Sequence, residues 1–179
     1  MVLVSAASEA HLEEAALVHA AQGGDRAAFG ALYEQYGRMV HGILLAYVSY
    51  SDAEDLVQDV FLKALEQLRS LRDPAAFGSW LAAIARRCAI DLCRRKKPVS
   101  ETQDMPGGPR PDREAFEVLD ILQRLPKAYR ETLILRLVEG MTGPEIAVRT
   151  GLTPDSVRVN LCRGMKQLRQ ALAGESNYE

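Results

Sequence analysis

The chain has 179 residues, 47% of them hydrophobic and 26% charged, which suffices for one moderate core or two small ones and is too apolar for a disordered chain. That length excludes a large multidomain enzyme, and no apolar run approaches the roughly 20 residues that span a bilayer, so no membrane insertion is expected. The formal net charge of -2 speaks against nucleic acid only on average, because the charge is segregated. Arg86 to Lys97 carries six basic residues against one acid, residues 98–120 carry six acids against two basic residues, and Met141 to Ala173 carries five basic residues against two acids. Two basic blocks flanking an acidic spacer mark two places suited to a polyanion.

The opening stretch MVLVSAASEAHLEE has neither a basic leader nor a long apolar core, so the reading is of a cytoplasmic protein without a secretory signal. Cys88, Cys93 and Cys162 are odd in number, form no CxxC pair and lie far in sequence from His11, His19 and His41. Neither a disulfide framework nor a zinc site is expected.

Apolar residues recur at three- and four-residue spacing throughout, which predicts an all-α protein. A first helix runs from about Glu9 to Ala21 and stops at Gly23-Gly24. Asp25 caps a second helix whose stripe is Phe29, Leu32, Tyr33, Tyr36, Val40, Ile43 and Leu44, ending near Ser49. Ser51 or Asp52 caps a third, with Leu56, Val60, Leu65 and Leu68 facing the core and Asp52, Asp55 and Asp59 on another face. Asp73-Pro74 breaks it, and Pro74 opens a fourth helix buried along Phe77, Leu81, Ile84, Cys88 and Leu92, with a cationic last turn that suits the helix dipole.

The stretch KPVSETQDMPGGPRPDR has four prolines, two glycines and no apolar period, and reads as a linker. The predicted division is a first helical domain over 1–97, a flexible linker over 98–112 and a second helical domain over 113–179. Beyond the linker, Phe116, Leu119, Leu122 and Leu125 form one helical line, Leu125-Pro126 interrupts it, and Tyr129, Leu133, Leu135, Leu137 and Val138 continue to Gly140. Thr142-Gly143-Pro144-Glu145 is a capping box. Gly151 supplies the positive φ of a tight turn, and Thr153-Pro154 starts a last helix with an apolar line of Val157, Leu161, Leu168 and Leu172. Two helices on a glycine turn, the second with outward arginines, are helix-turn-helix grammar. Arg158, Cys162 and Lys166 share a face, with Val159 and Arg163 at its edges, and such a face fits a duplex major groove.

The Arg86 to Lys97 block shares its helix with Phe77 and Trp80, a combination of aromatic and cationic groups that can hold unstacked bases. Asp52, Glu54, Asp55 and Asp59 suit a basic partner. They could also suggest magnesium, but no second carboxylate-rich helix or phosphate-cradling loop accompanies them.

Asp52-Ala53-Glu54-Asp55-Leu56-Val57-Gln58-Asp59-Val60-Phe61-Leu62, Phe77-Gly78-Ser79-Trp80-Leu81-Ala82-Ala83-Ile84-Ala85, and the set Leu125-Pro126, Arg130, Leu135, Glu145-Ile146-Ala147, Ser156-Val157-Arg158, Leu161, Arg163 and Leu168-Arg169 together resemble the bacterial sigma-70 family, in its extracytoplasmic-function (ECF) group. The resemblance covers nearly the whole chain and implies a σ2-like bundle and a σ4-like helix-turn-helix. It further implies docking on core RNA polymerase through Asp52, Glu54, Asp55, Gln58, Asp59 and Phe61. Minus-ten DNA would be met by Arg72, Asp73, Phe77, Trp80, Arg86, Arg87, Arg94 and Arg95, and minus-thirty-five DNA by Thr153, Ser156, Arg158, Val159, Asn160, Cys162, Arg163 and Lys166. Relatives usually carry asparagine at Arg87, serine-arginine at Val159-Asn160, and histidine or an aromatic residue at Cys162. The expected partners are core polymerase, promoter DNA and an anti-sigma factor, with no cofactor and no enzymatic activity. The competing reading is a free-standing helix-turn-helix repressor with a helical sensor or dimerisation domain.

Overall fold

The computed structural model describes residues 13–96 and 113–175. The predicted linker, 98–112, and Lys97 at the end of the basic block lie outside the described residues. The described chain forms α1 (residues 13–22), α2 (Arg26–Leu45), α3 (Tyr50–Gln67), α4 (Phe77–Arg95), α5 (Arg113–Arg124), α6 (Lys127–Leu137), α7 (Gly143–Thr150) and α8 (Pro154–Glu175). Short 3-10 turns, Leu68–Ser70 and Pro74–Ala76, lead from α3 into α4.

Local chemistry accounts for most of the helix ends. Asp25 Oδ1 accepts from the amides of Ala27 and Ala28, at 2.8 and 3.1 Å, and so satisfies donors that a helix start leaves orphaned. The cap of α3 is Ser49, whose Oγ accepts from the Asp52 amide at 3.3 Å. The sequence points instead to Ser51 or Asp52, and to an α2 running on to about Ser49. The difference arises because α2 closes at Leu45 and frees Ser49 to cap its neighbour.

In the third helix the buried residues are Ala53, Val60, Phe61 and Ala64, while Leu65, expected in the core, is 48% exposed. Small alanines on the inner face let α3 lie close to α2 and α4, and this closeness turns Leu65 outward. At its far end, Gln22 of α1 donates to the carbonyls of Leu68 and Leu71, at 3.0 and 2.8 Å, closing the end of α3.

The second half folds around α6, whose residues Glu131 to Leu135 are all buried. Thr142 and Glu145 form the predicted capping box on α7, the Thr142 amide donating to Glu145 Oε2 at 2.7 Å. That amide, then the Thr142 hydroxyl, hold the Glu145 carboxyl below its usual range. A carboxyl depressed by folding contributes stability that is present above its ordinary titration range and lost as pH falls through the lower folded value. Thr142→Ala should therefore cost about 0.5–2 kcal/mol near neutral pH, and the gap between wild type and variant in urea melts should shrink in acid.

Gly151 takes φ 74° at the end of α7, and its amide reaches Ala147 O at 3.0 Å. A Cβ there would also stand 2.6 Å from Ser79 Cβ. Gly151→Val should lower stability by about 1–3 kcal/mol through backbone strain alone, read as a fall in the urea midpoint. Thr153 Oγ1 accepts from the Ser156 amide at 3.1 Å and starts α8 as expected.

The two halves were expected to hang as separate modules on a strap. They are packed together. Helix α2 packs against α3 and α4 of its own half and α6 and α7 of the second, and α7 also touches α4. Its last turn, Gly42 to Leu45, and Ala46 beyond it have no solvent face, as a helix covered all round requires.

Candidate nucleic-acid interface

Helix α8 presents the surface that the helix-turn-helix grammar points to. Val157 and Leu168 are buried against the second half's core, and this fixes the roll of the helix. Arg158, Cys162, Arg163 and Lys166 are then exposed along one flank, with Val159 partly so. Arg158 pairs with Asp155 at 3.2 Å, but the two side chains are 79% and 86% exposed. Such a pair contributes about 0–1 kcal/mol, so the guanidinium is available to another acceptor. Thr153 and Ser156 are exposed at the start of the helix, their hydroxyl oxygens 2.7 Å apart. Asn160 departs from the expected set: its amide turns inward and donates to Thr132 Oγ1 of α6 at 3.4 Å.

Helix α4 is divided. Arg87, Arg94 and Arg95, and Arg72 ahead of the helix, are exposed. Asp73 is used locally, accepting from the Ala75 amide at 3.1 Å to cap the 3-10 turn. Phe77, expected to meet unpaired bases, is fully buried, edge-on to Tyr36 at 5.2 Å and tilted against Trp80 at 5.8 Å. Its position therefore supports Trp80, which is half-buried, from beneath. Arg86 is held by a two-pronged ion pair: Nη2 donates to Glu131 Oε1 at 2.6 Å and Nε to Oε2 at 3.0 Å. That hydrogen bonding, against the opposing effect of burial, raises the guanidinium above its ordinary value.

Glu54, Asp55, Gln58 and Asp59 are exposed along α3, three carboxylates and an amide on a strip suited to a cationic partner. Asp52 differs. Lys96 donates to both its carboxylate oxygens at 2.7 Å, and Ser49 donates to Oδ2 at 2.7 Å. Burial pushes this carboxyl up, but those hydrogen bonds outweigh it and the group lies below its usual range. Phe61 is 3% exposed, edge-on to Phe29 and tilted against Tyr33, so it braces the strip instead of lining it. Among the described residues no three His, Cys, Asp or Glu side chains are grouped to hold a metal ion, and no helix is long and apolar enough to cross a membrane. Cys88 and Cys93 are free thiols, buried and half-buried.

Several groups that join the halves escaped the sequence reading. Gln123 of α5 donates to Leu45 O and Val48 O at 2.8 and 2.9 Å, and Arg130 of α6 donates to Ala46 O at 2.8 Å, so the second half caps the carbonyl end of α2. His41 Nδ1 lies 2.7 Å from Glu139 Oε1, and Arg38 donates to Glu139 O. Arg149 lies over the Tyr36 ring, 5.3 Å from its centre. The sequence signal was the run Gly42-Ile43-Leu44-Leu45-Ala46, which leaves no polar face to point at water.

Residues 32–99 match Sigma-70 region 2, and residues 115–168 match Sigma-70, region 4. The chain is 31% identical over 176 residues to the RNA polymerase sigma factor NccH of Alcaligenes xylosoxydans, covering 88% of this chain and 92% of that protein. It is 29% identical over 177 residues to the ECF RNA polymerase sigma-E factor of Haemophilus influenzae, covering 88% of this chain and 94% of that one. Among solved structures it is similar to CnrH, determined in complex with the cytosolic domain of CnrY, with a TM-score of 0.62, 26% identity, and 90% and 97% of the two chains covered. With both regions present in order, on helices whose caps and turns follow from this sequence, the chain belongs to the ECF group of the sigma-70 family of RNA polymerase sigma factors.

Proposed function

We propose that the protein joins core RNA polymerase and directs it to its promoters through three surfaces of its own. The acidic strip of Glu54, Asp55, Gln58 and Asp59 docks on the polymerase. Arg158, Arg163 and Lys166 on α8 enter the major groove at the minus-thirty-five element, where an arginine can take guanine O6 and N7 together. Trp80 with Arg72, Arg86, Arg87, Arg94 and Arg95 holds the minus-ten strand, stacking on bases while the cations meet phosphates.

The observation that carries this reading is the outward flank of α8, set by the Gly151 turn, in a chain that also presents the basic end of α4. Capture of an unstacked base near Trp80 would offset the few kcal/mol of lost stacking, so strand opening needs no cofactor. CnrH is bound by the cytosolic domain of CnrY, and by that likeness we assign this protein an anti-sigma partner in the cytoplasm. We place the division between the halves at 98–112, a reading supported by the matched regions, which leave residues 100–114 between them.

Genomic fragments offered to the protein alone, to core polymerase alone and to the mixture test the reading. Selective recovery from the mixture supports it. Selective recovery of palindromic sites by the protein alone would replace it with the repressor reading, since a dimeric reader needs no polymerase.

A further inference from the structure

The outward line of α8 is not made of cations alone. The roll of the helix is fixed at Gly164, where an added Cβ would stand 2.8 Å from Leu133 Cδ1 and 3.0 Å from Tyr129 Cβ, so its backbone lies against α6. Val157 and Leu168, 1% and 4% exposed, mark the same inward side. At about 100° per residue, the line opposite them runs through Asp155, Val159, Cys162 and Lys166, all of them exposed. A recognition helix laid in a major groove brings such a line deepest, and its N-terminal turns meet the base edges. Arg158 and Arg163 stand to either side of it.

Val159 and Cys162 are uncharged and lie three residues apart, a spacing that brings side chains within about 5–6 Å of each other. Val159 is 38% exposed and takes no place in the core. An asparagine amide can take adenine N6 and N7 together, but that of Asn160 is turned away and donates to Thr132 Oγ1 at 3.4 Å. The deepest part of the first two turns therefore offers bases a small apolar patch.

Each base pair shows the major groove its own pattern, and thymine alone adds a methyl group. An apolar side chain against that methyl removes apolar surface from water on both partners. Against the amino group of cytosine or adenine, the same side chain strips a donor of water and returns no acceptor.

We propose that Val159, with Cys162 beside it, is a specificity-determining contact that reads a thymine methyl in the minus-thirty-five element, flanked by the contacts of Arg158 and Arg163. The inference rests on the reading that α8 enters the major groove there. The arginines supply charge and hydrogen bonds, whereas the apolar pair selects by burial, so its share of the discrimination does not fade with salt.

Promoters recovered by the protein together with core polymerase supply the probe. In the duplex, each thymine of the upstream element, on either strand, is exchanged for deoxyuridine, which lacks only the methyl. Competition for the holoenzyme should weaken about fourfold at one or two positions, the value of one buried methyl group, with the same ratio at low and high salt. Val159→Ser should bind thymine and deoxyuridine duplexes alike, and Val159→Ala, better suited to a helix, should lower the ratio in the same direction. Circular dichroism reports whether each variant keeps its helices.

A wild-type protein indifferent to every exchange, a sensitivity that persists undiminished in both variants, or a shared upstream element without thymine overturns the proposal. Arg158→Ala and Arg163→Ala on the same DNA separate it from the reading beneath it. If either weakens binding while no thymine exchange does, the thymine contact alone is lost. If neither substitution nor any exchange changes binding, α8 does not meet the element and both fall.

Discussion

Reversing both Asp55 and Asp59 to lysine should weaken binding to core polymerase by about two orders of magnitude, or about 3 kcal/mol, because like charges brought together at an interface cost several kcal/mol. Both side chains are exposed on α3 and pack against nothing in the core, which there consists of Ala53, Val60, Phe61 and Ala64. The variant should therefore keep its helicity and melting behaviour, and the loss should appear in a titration of labelled protein with core enzyme. Asp52 is a poorer target: its carboxylate is already held by Lys96 and Ser49, so its replacement would disturb the start of α3 and the end of α4 together. Unchanged affinity in the double reversal would remove the acidic strip from the account.

Replacing Arg158 or Arg163 by alanine should cost about 1–3 kcal/mol of discrimination at the upstream element for each arginine that reads a base. Neither substitution should unfold the protein, since the Arg158–Asp155 ion pair is exposed on both sides and Arg163 is exposed on the same helix. Competition with substituted promoters tells the two kinds of contact apart. A loss confined to one or two base positions marks base recognition, whereas a uniform loss with the salt slope reduced by about 1 marks a phosphate contact. Asn160, turned toward Thr132, should affect stability more than sequence preference.

What could be read from the sequence was what local chemistry decides. Asp25, the Thr142–Glu145 box, Gly151 and Thr153 act within a few residues of themselves, so type and spacing reveal them. The outward flank of α8 follows from the same logic, because Val157 and Leu168 set the roll of the helix.

What could not be read depends on partners distant in sequence. Arg86 looked like one more cation of a basic helix end; its pairing with Glu131, 45 residues away, exists only because α6 packs on α2. Phe77 was given to DNA by resemblance, but Tyr36 and Trp80 enclose it. Leu65 was given to the core by hydrophobicity, whereas the inner face of α3 is made partly of alanines whose value is closeness, not apolar area. Gln123 carried no signal of its own, and Arg130 only that of resemblance, since they satisfy carbonyls of another helix whose need for caps is visible only once its end is located.

The most direct test of the central claim is in vitro transcription from genomic DNA with purified core polymerase, with and without the protein, followed by sequencing of the transcript starts. The account predicts new starts that appear only when both are present, each preceded by a shared pair of upstream elements, and that vanish in the Asp55 and Asp59 double reversal. Starts that do not depend on the protein, or sequence-selective DNA binding by the protein with no starts at all, would contradict it.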